Sequence, residues 1–305
     1  MELKNKLHKC YKILKETIVA FNSNSGPKFS AALAYYTIFS LAPMLIVIIW
    51  VGSRFFGEDA IAGKIYGEIK DLIGPQAAIQ IEEMIKNVTL HEENTIATVA
   101  GFGTLILGAT IVFTEIQDTL NNIWSIKAKP KRGLLKFLFN RFLSFSMVIG
   151  IGFLMLISLG VNAFLSIFSD FVQKFIPEIS IHLFKALNFL LTFCIITILF
   201  ILIFKFLPDA VIKWKDVAAG AIATAVLFVI GKFGISLYLT YIDIGSAYGA
   251  AGSLILVLAW VYYSSIILFF GAEFTRVYIK YFGTEIIPKK YAVLIEKREI
   301  EIIKK

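Results

Sequence analysis

Residues 244–272 read IGSAYGAAGSLILVLAWVYYSSIILFFGA, 29 residues without one Asp, Glu, Lys or Arg. A bilayer core of about 30 Å is crossed by roughly 20 apolar residues of helix. This run is therefore a membrane-spanning candidate on length alone. Phe29–Ser53 is charge-free over 25 residues, Thr95–Thr114 over 20, Phe142–Phe168 over 27 and Ala186–Phe204 over 19. Val217–Ile242 is a sixth run, broken only by Lys232. The reading is an all-α, polytopic membrane protein with six spans at about 29–53, 95–124, 142–168, 186–206, 217–242 and 247–275. Residues 1–28 precede them, an outer loop covers 54–94, and a tail follows over 277–305. The first run is too long and starts too late for a signal peptide, and five more follow it.

Composition agrees. The 305 residues are 58% hydrophobic and 17% charged, with mean hydropathy +0.77. Soluble domains average about 45–50% apolar and about 25% charged. That excludes an ordinary cytosolic enzyme, a disordered chain and a coiled coil. Two cysteines, Cys10 and Cys194, are too few for a disulfide framework. His8, His91 and His182 lie far apart and show no metal-ligand spacing, so no metal or cofactor is expected.

The net charge of +8 reads as topology. Lys4, Lys6, Lys9, Lys12, Lys15 and Lys28 precede the first span. Lys127, Lys129, Lys131, Arg132, Lys136 and Arg141 lie in the second loop, and Lys205, Lys213 and Lys215 in the fourth. Arg276, Lys280, Lys289, Lys290, Lys297, Arg298, Lys304 and Lys305 follow the last span. These are 23 of the 30 basic residues, and all fall on one side of an even-numbered topology. The positive-inside rule predicts cytoplasmic N and C termini. It also accounts for the basic loop 127–141 without nucleic acid, which is not an expected partner. The first outer loop is acidic. It contains Glu58, Asp59, Glu68, Asp71, Glu82, Glu83, Glu92 and Glu93 against four basic residues. Ile61, Ile65, Ile69 and Leu72, then Ile81, Ile85 and Val88 after Gly74-Pro75, predict two short amphipathic helices there.

In the N-terminal segment Leu3, Leu7, Tyr11, Leu14 and Ile18 form one apolar stripe with lysines between them. Such a helix suits an anionic leaflet, as an anchor or as a sensor. The tail from Tyr291 to Lys305 mixes charge with isoleucine and reads as solvated.

Charges within spans are costly and mark candidate sites. Lys232 lies about 23 Å along the helix beyond Val217. It either snorkels to the headgroups or faces a cavity, with Asp243, Tyr248 or an anionic substrate as its partner. Glu115 lies about 13 Å from Trp124, read as an interface anchor. Asp118 shares its face, and Asn121 and Asn122 continue the polar surface. Tyr35 and Tyr36 sit at similar depth, about 10 Å from Phe29. Glu273 and Arg276 pair at i, i+3, and Arg141 opens the third span. Together these residues make an inner polar cluster or a structural ion-pair network. Pro43 removes a helix hydrogen bond and kinks the first span. Gly101, Gly103 and Gly108, and the run 245–253, permit close helix contact. No Gly-x-Ser-x-Gly elbow, phosphate loop or His-Glu-x-x-His occurs, and no enzymatic activity is expected.

The stretch Ala32–Pro43 (ALAYYTIFSLAP) resembles the first-span motif of the YihY/BrkB family, also labelled ribonuclease BN-like. Leu120-Asn121-Asn122-Ile123-Trp124 is similar to the end of its second span, and Leu207-Pro208-Asp209-Ala210 with Trp214-Lys215-Asp216 to its inner loop. Gly231-Lys232-Phe233 with Tyr238-Leu239, and Tyr248–Ser253 through Gly271-Ala272-Glu273, are similar to the fifth and sixth spans. The resemblance covers about residues 10–282. It implies a six-helix protein of the bacterial inner membrane and an envelope-related role, with lipid translocation among those proposed for the family. Nothing in these residues supports a nuclease. The leading expectation is transport or flipping of an anionic or amphipathic, lipid-like envelope substrate. Lys232 would bind it, Glu115, Asp118, Glu273 and Arg276 would gate it, and Pro43 would bend the first helix. Membrane lipids are the expected partners. The alternative is a non-transporting scaffold for envelope proteins, or a homo-oligomer.

Overall fold

The N-terminal segment folds as helix α1, Glu2–Ser23, and helix α2 follows over residues 26–40. Between them Ser25 takes φ 58°. Its N–H donates to Asn22 O at 3.0 Å and the Asn24 N–H to Ala20 O at 2.9 Å. This left-handed turn satisfies carbonyls that the end of a helix leaves open. Helix α3 runs Thr95–Ile123 and ends the same way, with Ser125 at φ 55°. Then come α4, Pro177–Phe206, α5, Trp214–Tyr241, and α6, Gly252–Phe282. The computed structural model describes residues 2–40, 79, 95–129, 177–241, 252–283 and 285–296.

The chain is mostly helical. Three stretches within these helices, Ala186–Phe206, Trp214–Ile235 and Leu254–Phe282, are long and apolar enough to cross a membrane. They match the fourth, fifth and sixth charge-poor runs. The second run lies in α3. The first enters α2 and continues past residue 40, outside the described residues. The third run lies wholly outside them, as does the outer loop apart from Ile79. So do Pro43, Arg141, Asp243 and Tyr248.

Helix α5 packs against both α4 and α6, while α1 and α3 pack on α6. Small residues set the α5–α6 spacing. A Cβ on Gly220 would sit 1.9 Å from Thr275 Oγ1, and one on Gly271 would sit 2.0 Å from Thr224 Oγ1. Both threonine hydroxyls donate to the carbonyl one turn back, Thr224 to Gly220 O and Thr275 to Gly271 O, at 2.7 Å each. Each hydroxyl can then lie against the opposing glycine with its hydrogen already bonded within its own helix. Gly231 lies against the Tyr263 hydroxyl in the same way. The expected glycine surface of α3 divides. Gly108 meets Ser40 of α2, and Gly103 faces open space.

The all-α expectation needs one addition. Two short antiparallel ladders close one end of the bundle. Strand β1, Ile126–Ala128, pairs with β4, Ala292–Leu294, in the register Ile126↔Leu294 and Ala128↔Ala292. Strand β2, Ala210–Val211, pairs with β3, Ile287–Pro288. Residues 287–295 therefore cross both the α3 exit and the α4–α5 connection. The tail was expected to be solvated, but its first part is bound through backbone bonds and a buried Ala292. Parts of all four basic segments meet at this end.

Helix α1 makes a contact that the stripe did not predict. It packs antiparallel along the C-terminal part of α6. Phe21 meets Phe270 edge-on at 5.7 Å, and Lys9 lies 5.9 Å from the Phe282 ring centre. The buried face is Ile13, Thr17 and Phe21, whereas Tyr11, Leu14 and Ile18 are exposed. Both sets keep helical spacing, so periodicity alone cannot tell which one meets the bundle.

Gly271→Leu should overpack the α5–α6 contact at a cost of about 1–3 kcal/mol. The melting midpoint in detergent is expected to fall. Gly234→Ala should leave it unchanged, since a Cβ there meets nothing within 4 Å.

Candidate functional site

Two carboxylates are fully buried at the strand end, Asp209 and Glu273. Each is the centre of a separate polar network. Asp209 opens the α4–α5 connection. Gln117 Nε2 donates to its carboxylate at 3.1 Å and Asn121 Nδ2 at 3.0 Å. Asn121 also accepts the Asp209 backbone N–H through Oδ1 at 2.8 Å. Gln117 and Asn121 are one turn apart on α3 and present a continuous donor surface. The Asp209 carbonyl accepts the Lys289 N–H at 2.9 Å. Tyr291 donates its hydroxyl to the same carboxylate. Burial, reinforced by the negative charge of Asp209, pushes the Tyr291 hydroxyl up to about 12.

Glu273 lies on α6. Asn24 Nδ2, in the α1–α2 turn, donates to Oε1 at 2.6 Å. Arg276 Nε, one turn along, donates to Oε2 at 2.9 Å. The expected i, i+3 pair is therefore present, with an added partner from the N-terminal turn. Close by, Glu16 of α1 accepts hydrogen bonds from the Tyr281 hydroxyl and, at 3.2 Å, from Lys280 Nζ. The Tyr281 hydroxyl, with help from Lys280, holds the Glu16 carboxyl below its ordinary value.

The single inner cluster expected from the sequence is thus resolved into parts. Asn121 belongs with Asp209, and Glu273 and Arg276 belong with Asn24. Glu115 is half-buried on α3, and Asp118 is exposed. Tyr35 and Tyr36 are exposed on α2, with rings edge-on at 5.8 Å. Trp124 is not an interface anchor. It is buried, and Nε1 donates to Ala272 O at 3.1 Å, tying the end of α3 to α6.

Lys232 is half-buried on α5. It lies 18 residues past Trp214, about 27 Å along the helix. The turn below it contacts α6, where the Tyr263 hydroxyl donates to Phe228 O at 3.3 Å. Trp260 and Ser264 lie one turn apart on the same helix. Their Nε1 and Oγ atoms are buried without a hydrogen-bond partner. Sequence reasoning named Asp209 only within a motif and not as a site residue, and it missed Gln117, Tyr291, Asn24, Trp260 and Ser264. The i, i+4 pair Gln117/Asn121 was a readable signal, but the carboxylate it serves is 88 residues away. Among the described residues no three His, Cys, Asp or Glu side chains converge as a metal site would require.

A family model described as virulence factor BrkB matches residues 17–291. The chain belongs to the BrkB family. Similar chains are described as UPF0761 membrane proteins. One from Pseudoalteromonas translucida is 28% identical over 245 residues, covering 80% of this chain and 78% of its own. One from Haemophilus influenzae is 27% identical over 259 residues, covering 83% and 90%. One from Stenotrophomonas maltophilia is 28% identical over 250 residues, and the match spans 55% of that longer protein. No solved structure matches. The chain therefore belongs to a family of membrane proteins, and three of its helices are long and apolar enough to cross a membrane. Residues in the stretches that resemble YihY/BrkB motifs fall on the two networks: Asn121 and Asp209 on one, Glu273 on the other.

Removing one donor from a buried carboxylate costs about 1–3 kcal/mol. Asn121→Ala should therefore lower thermal stability in detergent clearly, whereas Lys215→Ala, at an exposed position, should change it by no more than about 0.5 kcal/mol.

Glu16 gives a pH prediction. Its carboxyl is lowered from the ordinary 4.5 when α1 is docked. The stabilisation is then present above 4.5 and lost as pH falls through the lower docked value. A fluorophore on exposed Cys10, with Cys194 replaced by Ser, should gain mobility on acidification in that window. Glu16→Gln should abolish the transition.

Proposed function

We propose that this BrkB-family protein moves an amphipathic anionic substrate of the lipid class across the cytoplasmic membrane. In this reading the strand end faces the cytoplasm. Its support is the concentration of basic residues there, as the positive-inside rule expects. The observation that carries the proposal is the pair of unpartnered polar atoms, Trp260 Nε1 and Ser264 Oγ, buried within an apolar membrane helix. They lie about 9 and 15 Å along the helix from Leu254, well inside the span. A buried polar group without a partner costs about 1–3 kcal/mol. Thr119 Oγ1 on α3 is a third such atom among the described residues, but it lies at the strand end, whereas the α6 pair lies in mid-span, where a passing polar headgroup would supply partners. Lys232, on the neighbouring helix, supplies positive charge toward the far end. Asp209 and Glu273 with their partners close the strand end, in the role of an inner gate.

A scaffold for envelope proteins is the second reading, favoured by the exposed Tyr11, Leu14, Ile18 and Val19 of α1. Crosslinking from membranes that recovers no stable partner would count against it.

The transport reading is tested in proteoliposomes with fluorescent phosphatidylglycerol, following loss of outer-leaflet signal to dithionite. Wild type should speed leaflet exchange over protein-free vesicles. Lys232→Ala and Trp260→Phe should each slow it about tenfold, the equivalent of roughly 1.4 kcal/mol. Exchange no faster than in empty vesicles removes the proposal. Equal rates for wild type and Lys232→Ala remove the role of Lys232.

A further inference from the structure

A groove of about 890 Å³ opens at the strand end between α1, the C-terminal turns of α6 and the strand β4 edge. Its volume suits a drug- or headgroup-sized ligand. Lys12 and Lys15 enter from α1, and Arg276 and Lys280 from α6. Two carboxylates, Glu16 and Glu296, share the lining. Glu16 is already engaged by Tyr281 and Lys280. Arg276 donates Nε–H to Glu273 and also lines the groove. A guanidinium fork is suited to phosphate oxygens. Lys12 lies 5.7 Å from the Tyr281 ring centre, which holds its stem along the groove wall.

We infer that this groove is a binding site for the phosphate headgroup of an anionic phospholipid. The apolar stripe of α1 argues for a lipid over a soluble anion. Tyr11 lines the groove and is 63% exposed, and Leu14 and Ile18 continue from it along α1, 41% and 52% exposed. At 100° per residue Tyr11 lies between Lys15 and Ile18 around the helix. A headgroup held by Lys15 and Arg276 therefore has an apolar track for its acyl chains beginning at Tyr11. The site lies at the C-terminal end of the Leu254–Phe282 stretch, away from Trp260, Ser264 and Lys232, and its occupancy does not depend on transport.

The test is a titration of the full-length protein in neutral detergent, read by a fluorophore on Cys10 with Cys194 replaced by Ser. The probes are dioctanoyl phosphatidylglycerol, dioctanoyl phosphatidylcholine and inorganic phosphate. Phosphatidylglycerol should bind saturably, and phosphatidylcholine about tenfold more weakly. Each basic residue near an anionic headgroup contributes about 1 kcal/mol. Lys12→Gln with Lys15→Gln should then weaken phosphatidylglycerol about 30-fold. Lys15→Arg should restore affinity within about twofold, and Lys15→Glu alone tests the site without disturbing Lys12 on its ring. Equal binding of the two lipids overturns the proposal. So does affinity unchanged by Lys15→Glu. Inorganic phosphate that competes as well as phosphatidylglycerol overturns the lipid assignment. No flux is measured, so a protein that does not transport still gives a clear result.

Discussion

A carboxylate without water must be given partners or neutralised, and Asp209 meets that demand with groups from three distant parts of the chain. Gln117 and Asn121 reach it from α3, its own loop leaves α4, and Tyr291 comes from beyond α6. The chain cannot satisfy Asp209 unless α3, α4 and α6 end at the same place. The two ladders follow from the same condition. Once Tyr291 is drawn to Asp209, the tail on either side of it lies beside β2 and β1 and pairs with them.

Glu273 repeats the device on the other flank. It fastens the α1–α2 turn to α6 through Asn24 and holds Arg276 beside it. Elsewhere the bundle is held by shape. Lipid gives helices no hydrophobic reason to associate, so close approach must come from small residues and self-satisfied hydroxyls. Gly220 with Thr275 and Gly271 with Thr224 provide that contact. The molecule therefore has a polar, cross-braced end and an apolar, tightly spaced middle. Trp260 and Ser264 are the departure from that pattern, which is why the functional reading starts from them.

Much of the fold was legible. The spans read at 95–124 and 217–242 mark α3 and α5 to within a few residues, whereas α4 begins earlier, at Pro177, and α6 covers Gly252–Phe282 against the 247–275 expected. The Glu273–Arg276 pair was legible because i, i+3 neighbours meet in any helix. The site was less so. The stripe read for α1 is the exposed face, because Ile13, Thr17 and Phe21 make a second stripe of the same period. Trp124 looked like an interface residue because Trp favours interfaces, yet its indole is buried against Ala272. Strands of two or three residues have no period to detect.

The sequence by itself determined the class of solvent, the helices and the grouping of basic residues into four segments. Those are local or additive properties: backbone groups in lipid must be satisfied within the same helix, and hydropathy sums along the chain. Only the tertiary structure decided which polar groups meet, which face of α1 is buried, and that the tail is bound. Those outcomes depend on pairing across gaps such as the 88 residues between Asn121 and Asp209 or the 249 between Asn24 and Glu273. A buried charge selects its partners by proximity in space, and no spacing along the chain carries that information.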